Sequence, residues 1–154
     1  MNAKKTNSLF SILLILVILW GCSKDESGDN WNNCYDCEID SWIGSWSGKA
    51  SVYQAQSNVT TDGFDINIQI SETGNNYLTV YMNIPNQYSS TISGGISTGY
   101  AISFAGSNNS LTATLFQKKG KLKLSGTAKK FHYKVNELVI ETVITFDVTP
   151  AENK

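Results

Sequence analysis

Few side chains in this chain are suited to chemistry, and they are unevenly placed. Two cysteines form a C-x-x-C, Cys34-Tyr35-Asp36-Cys37, and a third, Cys22, ends an apolar run in Ile18-Leu-Trp-Gly-Cys-Ser-Lys-Asp-Glu26. The one histidine, His132, stands among lysines in Lys129-Lys-Phe-His-Tyr-Lys134. A C-x-x-C pair can be a redox dithiol, half of a zinc site or a local disulfide. Redox catalysis needs a thiolate stabilised by a helix N-terminus or a cation, whereas Asp36 and Glu38 crowd this pair. Zinc usually takes four protein ligands, and Cys34, Cys37 and His132 offer at most three. Nothing marks a nucleophile for His132. The acids Asp62, Asp65, Glu72, Glu137, Glu141 and Asp147 are scattered, and alternation puts Asp65 and Glu141 on outer faces. Catalysis needs an activated group within reach of a partner. The chain therefore reads as a binding protein, not an enzyme, with no metal and no cofactor.

Cys22 has a different meaning. Lys4 and Lys5 precede a run of 12 residues, Leu9 to Trp20, that is almost wholly apolar. A bilayer-spanning helix needs ~20 such residues, so the segment has the form of a signal peptide. Its end, Leu19-Trp20-Gly21-Cys22, resembles a bacterial lipobox, which implies removal of residues 1–21, acylation of Cys22 and attachment to a membrane through that residue. Stable anchoring takes at least two acyl chains, which a diacylated cysteine supplies. Ser23-Lys24-Asp25-Glu26 resembles the export signal of Bacteroidota-type surface lipoproteins, which implies a protein anchored in the outer membrane and exposed at the cell surface. Exported proteins meet an oxidising compartment, so Cys34 and Cys37 are expected to form a local disulfide.

Removal of the signal peptide leaves 133 residues, Cys22 to Lys154, and moves the formal charge from −1 to −3 through loss of Lys4 and Lys5. There is no arginine, the usual tool for binding phosphate, so nucleic acid is not an expected partner. Six acids (Asp25, Glu26, Asp29, Asp36, Glu38, Asp40) and little periodicity mark residues 22–41 as an acidic flexible tether. Seven lysines fall between Lys118 and Lys134. Such a cluster can steer an acidic partner or simply solvate an outer face.

From Trp42 to Pro150 the texture is uniform, with residues 151–154 a short tail. Phe64-Asp-Ile-Asn-Ile-Gln-Ile70 alternates cleanly, one face apolar and one wet. Similar segments run from Trp46 to Ala55, Tyr77 to Ile84, Thr91 to Ile96, Tyr100 to Ala105, Leu111 to Gln117, Lys121 to Lys129 and Leu138 to Val148. Short polar connections join antiparallel neighbours. About eight such strands predict an all-β, up-and-down barrel. In Tyr77–Ile84, a two-residue Gly74-Asn75 loop would turn the tyrosines inward. A three- or five-residue loop would turn Leu78, Val80, Met82 and Ile84 inward instead. Burying the aliphatics gains more, so Tyr77 and Tyr81 are expected outside.

Strand one opens with Gly44-Ser45-Trp46. A G-x-W at that place, followed by an eight-strand meander, resembles the lipocalins and the wider calycin families, over residues 43–149. The resemblance implies that Trp46 plugs the barrel's base and that a small apolar or amphipathic ligand is bound within. The large inward residues Ile66, Ile68, Ile70, Leu138, Ile140, Ile144, Phe146 and Val148 face small ones, Gly48, Ala50, Ala113, Gly126 and Ala128. That mixture can give either a filled core or a pocket. The alternative function is a monomeric surface module with a solid core. It would bind glycans or proteins through Tyr77, Tyr81 and the lysines Lys118, Lys119, Lys121 and Lys123.

Overall fold

In a computed structural model of the chain, residues 30–96, 98–135 and 137–152 are described. The expected signal peptide, Cys22 and the first part of the tether lie outside the described residues. The folded unit begins at Trp31. Its strands are β1 (Asn32–Asn33), β2 (Gly44–Gln54), β3 (Val59–Gly74), β4 (Tyr77–Ile84), β5 (Tyr88–Gly95), β6 (Ala101–Ala105), β7 (Asn109–Lys118), β8 (Lys121–Lys134) and β9 (Glu137–Pro150). The eight alternating segments are β2 to β9. Asn58, Asn76 and Asn86 take left-handed backbone at φ 53°, 57° and 61° in the turns between β2 and β5, a conformation that asparagine tolerates well.

All pairings are antiparallel, in the order β1-β7-β8-β9-β2-β3-β4-β5, with β6 also on β7. β2 and β9, first and last of the eight, pair from Trp46↔Pro150 to Gln54↔Thr142. The expected closed barrel nevertheless does not form, because no backbone ladder joins β5 to β6. β6 has only five residues and uses them on β7. Across the seam the buried Phe104 ring packs against Gly94, where a β-carbon would have no room. Side chains bridge the seam: Asn109 Nδ2 donates to Ser90 Oγ at 2.7 Å and to the Thr91 carbonyl at 3.2 Å. The result is a rolled sheet with one seam.

The β3–β4 hairpin shows how register is set. Its turn has two residues, Asn75-Asn76, which alone would face the tyrosines inward. A bulge between Glu72 and Gly74 inserts Thr73, so Ile70 pairs Val80 and Ile68 pairs Met82. That one extra residue flips β4. Leu78, Val80, Met82 and Ile84 are buried, and Tyr77 and Tyr81 lie outside, 47% and 43% exposed.

The interior is filled. Trp46, Ile66, Ile68, Ile70, Leu78, Met82, Ile84, Leu111, Leu115, Leu124 and Ile144 are almost wholly buried, and the small residues sit beneath large rings, Gly126 under Phe146 and Gly94 under Phe104. Leu138 corrects the inward assignment, being 48% exposed. β8 and β9 slip at a second bulge, where Lys130 pairs Thr142 but Phe131 pairs Ile140. The extra residue is Glu141, and beyond it Leu138 pairs Tyr133 near the hairpin's exposed end.

The segment expected to be spacer is partly built into the fold. β1 pairs β7 at Asn32↔Gln117 and Asn33↔Phe116, and the Cys34 amide donates to the Leu115 carbonyl at 2.9 Å. Cys34 and Cys37 are joined as a disulfide, Cα–Cα 5.3 Å. A 3-10 turn, Ile39–Ser41, then delivers Trp42, which is 0% exposed. Trp42 Nε1 donates to the Gly99 carbonyl at 2.7 Å, and Trp46 Nε1 donates to the Trp42 carbonyl at 2.9 Å. These two buried tryptophans close one end, the base. Gly99 is needed there because the Cys37 carbonyl occupies the space of a side chain. Residues 31–41, expected to be tether, therefore belong to the folded unit.

Candidate binding cleft

The opposite end, the mouth, is open. It is built from the turn after β2, the β4–β5 turn and the ends of the β8–β9 hairpin. Gln54, Ala55 and Gln56 from the first, Gln87, Tyr88 and Ser89 from the second, and Lys130, His132 and Val139–Thr142 from the third line a cleft of about 740 Å³. Ligand sites commonly measure ~300–1,000 Å³. Asn86 turns the chain so that the Gln87 amide bonds back to the Ile84 carbonyl at 3.0 Å, which presents Gln87 and Tyr88 to the opening.

The floor and one wall of the cleft differ in chemistry. Tyr88 is 8% exposed and its hydroxyl, fully buried, has no hydrogen-bond partner. Leaving such a group unpaired costs ~1–3 kcal/mol. Beside it, Thr142 Oγ1 donates to Gln54 Oε1 at 3.3 Å. On the wall, the bulge residue Glu141 engages two side chains at once. Lys130 Nζ lies 2.8 Å from Oε2 and His132 Nδ1 lies 2.8 Å from Oε1. Hydrogen bonds from Lys130 and then His132 hold the Glu141 carboxyl below its ordinary value. An ionised carboxylate only accepts, so Nδ1 carries a proton and Nε2 is left to meet solvent or ligand. Val139, Ile140 and Ala55 supply apolar wall.

None of the residues expected from the sequence to bind a ligand or partner lines this cleft, although His132 and Glu141, noted there only as unpaired titratable groups, do. Trp46 is in the base, satisfied by Trp42. Tyr77 and Tyr81 lie on the outer face of β4. Lys119 and Lys121 are exposed at the β7–β8 turn, Lys118 is half-buried beside them, and Lys123 is committed: its ammonium sits 5.4 Å from the Trp31 and Phe116 ring centres and 3.7 Å from Asp147. At least two strands separate the tyrosines from the lysine turn in either direction round the sheet, so they do not form one surface. Cys22 lies outside the described residues.

Glu141, read as outward from alternation, does face solvent, its side chain 36% exposed, but the alternation did not show that the bulge sets it between Lys130 and His132. His132 was seen but had no visible partner. Among the described residues no group of three or more His, Cys, Asp or Glu could hold a metal ion.

In comparisons with known proteins, the chain matches no family model and no curated protein.

Proposed function

We propose that this protein is a monomeric, outer-membrane lipoprotein, anchored through Cys22 and exposed at the cell surface, whose lipocalin-like domain captures a small amphipathic ligand at its mouth. The address rests on the lipobox-like motif. Binding rests on one observation above the others: the cleft of about 740 Å³ at the mouth, where polar side chains of three chain segments meet an apolar wall. A ligand's polar group meets the carboxamides of Gln54 and Gln87 and the His132–Glu141–Lys130 wall, while its apolar part lies against Val139 and Ile140. The filled core favours this shallow site over an interior chamber.

Native mass spectrometry of protein released from the envelope in mild detergent tests the reading. A reproducible added mass, lost on solvent extraction and absent from Ile140→Lys, is the expected result. A clean apoprotein mass, with no uptake from a mixture of lipids and metabolites, would overturn it. For the address, metabolic palmitate labelling that Cys22→Ser abolishes is expected; unlabelled wild type would sink it.

A further inference from the structure

From Thr73 to Gln117 the chain contains no Asp, Glu, Lys, Arg or His. β4, β5, β6 and all of β7 but its last residue fall inside this stretch, so the wall on both sides of the seam carries no ionisable charge apart from tyrosine hydroxyls. Its outer face is a lattice of hydroxyls and amides: Thr79 and Asn83 on β4, Ser89, Thr91 and Ser93 on β5. Several are already tied together, Thr79 Oγ1 to Ser93 Oγ at 2.8 Å and Thr73 Oγ1 to Thr79 Oγ1 at 3.3 Å.

Two aromatic rings interrupt the lattice, and both lean onto β5. Ser89 Oγ donates to the Tyr81 hydroxyl at 3.3 Å. Ser89 is a diagonal neighbour, because Tyr81 pairs with Thr91; its Cα lies ~7–8 Å away, so the ring stretches across β5 to reach it. Tyr77 pairs with Gly95, and its ring edge stands 3.9 Å from where a β-carbon on that glycine would be. Each ring is supported on one side and open on the other. They are four residues apart on one strand, about 13 Å, which is longer than a single sugar ring.

We propose that this wall is a docking face for a neutral polysaccharide chain, distinct from the mouth cleft. The rings of Tyr77 and Tyr81 stack on the apolar faces of its sugars, and the serine, threonine and asparagine side chains exchange hydrogen bonds with its hydroxyls. The charge match is one of absence: neither side has ions to desolvate, a cost that a charged wall would impose. A protein partner fits less well. Interface cores are rich in aromatic residues, methionine and arginine, and Tyr77 and Tyr81 are the exposed large apolar side chains of β4 to β7. Acidic glycans and anionic lipids need the cations that this wall lacks.

Sedimentation of the detergent-solubilised full lipoprotein with insoluble cellulose, insoluble starch and a cross-linked polygalacturonate gel tests the proposal. Retention on at least one neutral polysaccharide, unchanged in molar salt, is expected. Tyr77→Ala/Tyr81→Ala and Thr91→Lys should each cut it at least tenfold, with urea midpoints near wild type. Tyr88→Phe, which alters only the cleft, should leave retention intact. Lack of retention on either neutral polymer would overturn the proposal, as would retention only on polygalacturonate, loss in salt, or indifference to the tyrosine and Thr91 substitutions.

Discussion

Tyr88 and Glu141 carry the sharpest consequences of single side chains. The Tyr88 hydroxyl is buried without a partner in the free protein, so removing it relieves a cost. Tyr88→Phe is expected to leave stability unchanged or to raise it by about 1 kcal/mol, read as the urea midpoint. A loss of stability would mean that the hydroxyl is satisfied in the free protein. Glu141 works in the other direction. Its carboxyl is held below its ordinary value of 4.5 by Lys130 and His132, so its contribution is complete above that value and fades as pH falls through the lowered one. Urea midpoints followed from neutrality into acid should drop less steeply in Glu141→Gln than in wild type; parallel curves would contradict the assigned wall. Sequence could not reveal this pairing. Lys130, His132 and Glu141 were all visible as residue types, but the bulge that brings them together is a main-chain event with no signature side chain.

Elements show the same limit and also its converse. The alternation of Phe64–Ile70 located β3 because each residue there obeys one period. β4 obeys the same period, yet its facing depended on the insertion of Thr73, and only the larger gain from burying aliphatics pointed the right way. Deleting Thr73 should force β4 to choose between losing its ladder and exposing Leu78, Val80, Met82 and Ile84. Burial of each contributes ~1.5–3 kcal/mol, and a domain's whole stability is ~5–15 kcal/mol. The deletion is therefore expected to give an insoluble or unfolded product, measured by the soluble fraction and by tryptophan emission. Residues 31–41 were the larger misreading. Their acids suggested a solvated tether, while the segment pairs with β7, buries Cys34 and leads into Trp42, the first residue read as domain. Trp42→Ala should cost about 3–5 kcal/mol in chemical denaturation, as for other buried large-to-small changes. A spacer residue would cost nothing.

For the molecule as a whole, the seam is where the rolled sheet departs from the barrel that eight alternating strands and a G-x-W suggested. Sequence patterning counts strands and orders neighbours, but closure depends on whether the last two edges can approach. Here β6 is only five residues long and spends its ladder on β7. Stability across a fold is uneven, and backbone groups outside a ladder open first. β2 and β3 have partners on both sides, whereas β5 has a ladder on β4 only. Opening from the seam should therefore peel β5 away before the β2–β3–β9 region moves. Amide exchange is expected to be faster in Tyr88–Gly95 than in Ile66–Ile70, with the difference widening in Asn109→Ala, which removes the side-chain bridge to Ser90 and Thr91. If β5 instead exchanged as slowly as β3, the edges would be joined in solution by hydrogen bonds that close the barrel. The mouth would then be a rim held on all sides, and its cleft would be rigid; a seam that opens lets the cleft widen at Tyr88, the first residue of β5.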